Sequence, residues 1–263
     1  MSFPNHPNKH LHDSLLDPQD IVGYRRHLGR LPRIDAIDSV LFCLEKGLPK
    51  RLHRRIPVRF AGSMLGELYQ LKKAKTVGVM ANFGGGAPIV VELAEELVAM
   101  GVKRMVLLTW GGALQPGLEP GDIVICDRAI RDDGTSHHYL PPEKYIQANP
   151  GLVARLANAV QSRTARCSIG TTWTTDAPYR ETLAEVQDYQ EEGVMTVEME
   201  SAGLFAVGQV RGIETASVVV IMDSLANLKW EVPDQLDRVS KALETVYESA
   251  VAVLGENIPV SQP

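Results

Sequence analysis

Residues 194–223 read Val-Met-Thr-Val-Glu-Met-Glu-Ser-Ala-Gly-Leu-Phe-Ala-Val-Gly-Gln-Val-Arg-Gly-Ile-Glu-Thr-Ala-Ser-Val-Val-Val-Ile-Met-Asp. A β-type run at 195–197 leads directly into a helical pattern at 201–210, and a long apolar run at 215–222 follows. A strand that is apolar along its whole length is typical of a sheet covered on both faces. Because strand and helix alternate, this stretch predicts an α/β fold.

The same alternation continues through most of the chain. Further strands are predicted at 40–44, 76–80, 105–109 and 122–126, and further helices at 88–100, 152–160 and 234–254. No linker, repeat or low-complexity break separates these segments. We therefore predict an irregular N-terminal extension at residues 1–35, a single domain at residues 36–258 and a short tail at residues 259–263.

Composition and charge exclude several classes of protein. A net charge of −5 and a pI near 5.8 lack the basic footprint of nucleic-acid-binding proteins. No apolar run has the length of a membrane-spanning helix, and the N-terminus lacks a signal-peptide pattern. Cys43, Cys126 and Cys167 have no CxxC spacing, which is typical of free thiols in a reducing compartment. We expect a cytoplasmic protein without a nucleic-acid, membrane or metal partner.

Glu198, Met199 and Glu200 are the first candidate binding residues. On an extended segment the two glutamates, two positions apart, share one side. A carboxylate can accept two hydrogen bonds from the vicinal hydroxyls of a ribose, and a methionine offers a soft apolar surface to a sugar or base. The alternative is an ordinary helix N-terminus, where the helix dipole favours glutamate.

Several motifs in one order resemble the uridine/purine nucleoside phosphorylase family, which also contains hydrolytic nucleosidases. The segments that carry the resemblance are 198–202 (Glu-Met-Glu-Ser-Ala), the glycine turn and strand at 111–126, the loop at 128–141 and the segment 174–179. The resemblance spans residues 40–255. It implies three layers, α/β/α, with a central mixed β-sheet. It also implies no metal or organic cofactor, with inorganic phosphate as co-substrate, and a homo-oligomer built from dimers, as in the family's hexamers.

The resemblance assigns residues to the ribose and phosphate sites. Met199, Glu200 and Glu198 would bind ribose, together with His138 from the loop. Gly47 and Arg51 resemble the family's phosphate loop, in which Leu48 here replaces an aspartate, and the 84–88 glycine-proline turn would add Gly84. Arg59 would be the phosphate-binding arginine that a neighbouring subunit lends. The alternatives are a tight turn at Gly84 and a solvated basic run around Arg51.

The base site and the proton donor complete the assignment. Gly111, Gly112, Trp173 and Thr175 would contact the base, with a buried core position as the alternative for Trp173. Asp223, which ends a long apolar run, would act as general acid, with a turn cap as the alternative.

Two departures from the family bear on the substrate. Thr182 and Ala184 stand where the pyrimidine branch has its Gln and Arg, which favours a purine-type base over uridine. Leu107 and Trp110 stand where phosphorylases have an Arg and a Thr of the phosphate site, and Thr109 is the candidate replacement hydroxyl. The function predicted is a nucleoside phosphorylase. A nucleosidase that uses water and a binding protein without catalysis remain open alternatives.

Overall fold

The structure is a computed structural model that describes residues 6, 8–34, 36–234 and 236–256. The predicted tail at 259–263 lies outside these residues. The helices are α1 (Pro18–His27), α2 (Gly47–Leu52), α3 (Ala87–Ala99), α4 (Pro150–Gln161), α5 (Leu183–Glu191), α6 (Ser201–Arg211) and α7 (Asp237–Leu254). The strands are β1 (Ser39–Cys43), β2 (Val58–Ser63), β3 (Glu67–Leu71), β4 (Val77–Ala81), β5 (Arg104–Ala113), β6 (Ile123–Asp132), β7 (Tyr145–Gln147), β8 (Cys167–Thr175), β9 (Thr196–Glu198) and β10 (Glu214–Ser224).

The strands form one mixed sheet, in the order β10-β6-β8-β9-β5-β1-β4-β3-β2, with β7 added to β6. Strand β1 is parallel to β4 and β5, and β10 is parallel to β5 but antiparallel to β6. The predicted α/β class with a mixed sheet is confirmed.

Helices cover both faces of the sheet. Along β1, Val40 and Phe42 are buried in an apolar cluster with α3 and α6, while Leu41 and Cys43 are buried in a second cluster that contains residues of α4 and α7. Because successive side chains of a strand point to opposite faces, a strand between two such clusters must be apolar throughout. This burial explains the continuous apolar runs and gives the three layers.

Part of the sheet closes into a ring, which was not predicted from the sequence. Strand β5 pairs with β9 and also with β10, and the pairs β10–β6, β6–β8 and β8–β9 complete the circuit. The closure depends on glycine at β5, because a Cβ on Gly111 would lie 2.2 Å from the carbonyl oxygen of Val197. Without a side chain at Gly111, β9 can pack directly against β5.

Several elements were not predicted from the sequence, among them α1, α5 and β8. The extension is not wholly irregular, because Asp17 and Asp20 form a capping box at the start of α1, with Pro18 in the first turn. Strand β8 is rich in threonine rather than apolar residues, and its buried half, residues 171–175, lies in the closed ring. Its β-branched residues were a usable strand signal.

The ring closure predicts a large effect of a single methyl group. Replacing Gly111 with alanine forces the β5–β9 pair apart, so the free energy of unfolding is expected to fall by about 3 kcal/mol or more. Urea denaturation followed by circular dichroism measures the change. Gly23→Ala is the matched control, since a Cβ there meets no atom within 4 Å and alanine favours the helix by about 1 kcal/mol. Equal stability of the two variants would contradict the importance of the close contact.

Candidate active site

Glu198 is a structural carboxylate at the start of α6. Its Oε2 accepts hydrogen bonds from the backbone N–H groups of Glu200 and Ser201, both at 2.8 Å, and its Oε1 accepts one from Thr174 Oγ1 at 2.5 Å. These contacts satisfy N–H groups that the first turn of a helix leaves unpaired. The prediction that Glu198 and Glu200 share one side of an extended segment is therefore wrong, because β9 ends at Glu198 and Glu200 is the N-cap of α6.

Glu200 points in a different direction, towards the glycine turn before α3. Its Oε1 accepts a hydrogen bond from Gly86 N at 2.7 Å, and its Oε2 lies 3.3 Å from Thr109 Oγ1 and 3.4 Å from Met199 N. Its side chain is 2% exposed, and no Lys or Arg of the described residues forms an ion pair with it. Burial raises the pKa of Glu200 from 4.5 to about 7, and the charge of Glu198 adds to the shift.

The glycine turn holds this carboxylate where a phosphate was predicted. Gly86 N donates to Glu200, and a Cβ on Gly85 would lie 3.3 Å from Glu200 Oε1. A Cβ on Gly84 would meet only the Ile89 side chain, at 3.8 Å. The turn therefore keeps room for a ligand near Gly84, and its anion-binding N–H at Gly86 already contacts an acid of the protein itself.

Gly47 and Arg51, the other predicted phosphate ligands, also contact carboxylates. Gly47 begins the short helix α2 rather than lying in a loop, and its N–H donates to Glu45 Oε1 at 3.2 Å. Arg51 Nε donates to Glu244 Oε1 of α7 at 2.9 Å, and the arginine side chain is about half exposed. Both donors are thus matched to acidic groups, which a phosphate would have to displace or accommodate.

The two departures from the phosphorylase pattern have different environments. Leu107 is fully buried in the apolar cluster of α3 and α6, so it is a core residue. Trp110 is 42% exposed, although the residues on either side of it in β5 are buried. Thr109 lies between these two residues in the sequence, and its hydroxyl lies beside Glu200. This contact agrees with the interpretation that Thr109 supplies a hydroxyl to the site.

Asp223 lies opposite Gly112 where β10 contains a bulge. The pairing of β10 with β5 shifts between Ile221 and Asp223, so a bulge re-aims the aspartate relative to the strand before it. A Cβ on Gly112 would lie 3.0 Å from Asp223 Oδ1, and Asp223 Oδ2 accepts a hydrogen bond from Trp230 Nε1 at 2.8 Å. The structure therefore brings the predicted glycines and the predicted acid together.

The predicted base contact of Trp173 is wrong. Trp173 is 1% exposed, packs against Tyr189 and donates its indole N–H to Asp132 Oδ2 at 3.0 Å, so it belongs to the core. Thr175 is also buried, and its hydroxyl accepts a hydrogen bond from Ala177 N in the turn after β8. The exposed aromatic residue beside Asp223 is Trp230, which was not predicted from the sequence because no motif surrounds it.

His138 and Arg59 lie at the periphery of the chain. His138 ends a 3-10 turn (Ser136–His138), is exposed, and places Nδ1 2.9 Å from Lys9 Nζ of the N-terminal extension. Arg59 lies on the edge strand β2, five strands from β9, and donates to Gln70 Oε1. At about 4.8 Å per strand this separation is roughly 24 Å. That distance fits the expectation that Arg59 serves a neighbouring subunit rather than its own.

Glu181 is a second carboxyl at the Asp223 end of the site, and it was not predicted from the sequence. It is partly buried between a 3-10 turn (Pro178–Arg180) and α5. Burial raises the pKa of Glu181 to about 7, and the nearby charges of Asp223 and Glu185 add to the shift. The sequence signal that could have identified Glu181 is its position directly before the Thr-x-x-Glu capping box of α5.

Two further findings concern metals and membranes. In the described part of the chain, no group of three or more His, Cys, Asp and Glu side chains is arranged to hold a metal ion. Within the same residues, no helix is both long enough and apolar enough to cross a membrane.

Comparisons with known proteins point to one family. A family model described as the phosphorylase superfamily matches residues 53–254. Uridine phosphorylase of Haemophilus influenzae is 28% identical over 193 residues, which cover 67% of this chain and 76% of that protein. Guanosine phosphorylase of Halorubrum lacusprofundi is 25% identical over 174 residues, covering 66% of this chain and 72% of that protein.

The fold comparison agrees. A crystal structure of uridine phosphorylase from Vibrio fischeri matches 85% of this chain and 93% of that chain, with a TM-score of 0.72 and 21% sequence identity. At this identity the match supports the fold, including the mixed sheet.

The buried Glu200 carboxylate predicts a pH-dependent cost in stability. In the folded protein the Glu200 carboxyl keeps its proton up to about pH 7, whereas in the unfolded chain it loses the proton near pH 4.5. The free energy of unfolding therefore falls as the pH rises between these two values. Glu200→Gln is therefore expected to be more stable than the wild type by about 1–3 kcal/mol at pH 8, and by less at pH 5. Urea denaturation at both pH values measures the difference. The exposed Glu191→Gln serves as control, and a Glu200→Gln variant that is destabilised at pH 8 would contradict the expectation.

Proposed function

Because the chain belongs to the phosphorylase superfamily, we propose that it is a nucleoside phosphorylase, a pentosyltransferase that moves ribose from a base to phosphate. The observation that carries the proposal is the buried Glu200 carboxylate, which has no cation among the described residues and lies between Gly86 and Thr109. Each carboxylate oxygen can accept two hydrogen bonds. Gly86, Thr109 and Met199 occupy three of these four positions, so one position remains for a ribose hydroxyl, with Met199 against the sugar. The second hydroxyl of the ribose would take the place of one of the two long contacts at Oε2.

The reaction breaks the N-glycosidic bond and transfers the ribose. As the bond lengthens, the base takes the electron pair and receives a proton from Asp223, while the ribose becomes oxocarbenium-like. A phosphate oxygen then forms the bond to C1′. The missing side chain at Gly112 leaves room for the Asp223 carboxyl, since a Cβ there would lie 3.0 Å from Oδ1. Most of the rate enhancement would come from orientation and from charges already in position, since no covalent intermediate is required.

A purine-type base is the proposed preference. Asp223 beside Gly112 suits protonation of a ring nitrogen, and the pyrimidine-recognising pair of the family has no counterpart at Thr182 and Ala184. The Thr182 hydroxyl donates to Glu185 Oε2 at 2.6 Å as part of the cap of α5, and Ala184 has no polar side chain. Neither can read a uracil ring.

Hydrolysis, with water as the acceptor, is the second candidate function. It is favoured by the carboxylates that already contact the predicted phosphate donors, namely Glu45 at Gly47 and Glu244 at Arg51. Leu107 adds no charge. A phosphate without enough paired positive charge is costly to bury, whereas water has no such requirement.

A homo-oligomer would reduce this cost. Arg59 lies on the edge strand β2, next to Phe60, which is 55% exposed. We propose that β2 lies at an interface in which Arg59 completes the phosphate site of a neighbouring copy.

The cysteines Cys43, Cys126 and Cys167 are free, which agrees with the proposed cytoplasmic location.

The proposed function is tested by release of free base from a panel of purine and pyrimidine nucleosides, with and without inorganic phosphate. We expect release that requires phosphate and yields a sugar 1-phosphate. Phosphate-independent release of free ribose would establish the hydrolase instead.

Asp223→Asn is expected to lower kcat by a factor of about 100 to 10,000 with little change in KM for the nucleoside. Unchanged turnover in this variant would contradict the acid role.

A substitution at Arg51 distinguishes phosphate from water as the acceptor of the ribose. In a phosphorylase, Arg51→Ala is expected to raise the KM for phosphate by a factor of about 10 to 100, because one charged donor is lost. Initial rates at varied phosphate concentration measure the effect. Arg55→Ala is the matched control, since Arg55 binds the same Glu244 at 2.7 Å and was not assigned to phosphate. Equal effects of both variants would show that only the surface ion pairs matter.

A further inference from the structure

We propose, on the premise of the proposed function, that Glu181 selects the base by accepting a hydrogen bond from its exocyclic amino group. The amino group would lie next to the ring nitrogen that Asp223 protonates. This arrangement makes a nucleoside of a 6-aminopurine the preferred substrate over one of a 6-oxopurine.

Helix α5 holds Glu181 at the end of the site where Asp223 lies. Near the C-terminal end of α5, Gln190 Nε2 donates to Leu114 O at 2.6 Å and to Ala226 O at 2.9 Å. Leu225, two residues after Asp223, packs against the apolar cluster that contains Val186 of α5. These contacts join α5 to residues 225 and 226, directly after Asp223, and the charge of Asp223 acts on the Glu181 carboxyl.

Glu181 has no structural task that accounts for it. It is partly buried, and among the residues that the structure describes no side chain or backbone N–H donates a hydrogen bond or a positive charge to it. The charged groups that act on it are Asp223 from β10 and Glu185 from α5, and both are acidic. The neighbouring Glu185 is used by Thr182 in the helix cap, whereas Glu181 is not. A desolvated acid among acids is destabilising, and such groups concentrate where ligands bind.

Asp223 Oδ1 and the Glu181 carboxyl both remain available to contact a base. Asp223 Oδ2 is held by Trp230 Nε1, and Oδ1 lies over Gly112, where no side chain intervenes. The indole of Trp230 is 66% exposed and offers a flat surface beside Asp223. A planar base in this position meets one acid at its ring nitrogen and the second at the adjacent ring substituent.

The ionisation of Glu181 decides which substituent is accepted. An ionised carboxylate accepts from an amino group but faces the oxygen of a 6-oxo group without a proton between them. A protonated carboxyl can donate to that oxygen. Because burial and the Asp223 charge raise the pKa of Glu181 to about 7, the preference for the amino base should grow as pH rises through neutrality.

The test compares kcat/KM for adenosine and inosine at pH 6 and pH 8.5. For the wild type we expect the adenosine-to-inosine ratio to rise about tenfold or more between these pH values, because an unmatched polar contact of this kind costs about a factor of 10 to 100. Glu181→Gln should give a ratio that does not change with pH. Glu181→Asp, which keeps the charge on a shorter side chain, should retain part of the rise. Glu191→Gln on the exposed side of α5 is the matched control and should behave as the wild type.

A Glu181→Gln variant with the wild-type rise in the ratio would overturn the inference. So would a wild type that cleaves only pyrimidine nucleosides, and that result would leave the phosphorylase activity itself intact. Calorimetric binding of adenine and hypoxanthine, without acceptor, separates the remaining cases. Tighter binding of adenine at pH 8.5 that Glu181→Gln abolishes supports the inference even if turnover is absent. Absence of both turnover and base binding would overturn the inference and the proposed function together.

Discussion

The buried carboxylate of Glu198 fixes the part of the molecule on which the site depends. It joins the last residue of β9 to the first N–H groups of α6 and to Thr174 of β8, and all of these contacts are buried. Thr174 Oγ1 also accepts a hydrogen bond from Ala202 N in the first turn of α6. A buried acid satisfied in this way specifies one geometry, because each alternative leaves a desolvated group unpaired. Glu200 is aimed at the glycine turn as a direct consequence.

Acidic side chains recur at three places where the sequence suggested an anion site. Gly47 contacts Glu45, Arg51 contacts Glu244, and Gly86 contacts Glu200. The same N–H groups and guanidinium that suit phosphate also suit carboxylate, since both anions accept hydrogen bonds in similar geometry. The identity of the acceptor therefore depends on whether phosphate can replace these internal contacts. The exposed Arg51–Glu244 pair is the easiest to exchange, because surface ion pairs are weak.

The site lowers the stability of the fold because it buries carboxyl groups that have no positively charged partner among the described residues. Burial raises the pKa of both Glu198 and Glu200, and the charge of Glu198 contributes to the shift at Glu200. Glu181 shows the same direction of shift, for the same main reason. Glu198 is compensated by hydrogen bonds within the fold, whereas Glu181 has no such donor among the described residues. This contrast distinguishes a structural acid from one that is free to contact a ligand.

The sequence by itself determined the α/β class and the alternation of strands and helices, because apolar periodicity is a local property of the chain. Its short motifs also predicted Glu200, Gly112 and Asp223 as site residues. Only the tertiary structure decided that Glu198 caps a helix, that Trp173 belongs to the core, and that β5 closes a ring. It also brought Glu181 and Trp230 beside Asp223. These outcomes depend on contacts between segments that are distant in sequence, and hydrogen-bond partners and burial become defined only when those segments pack together.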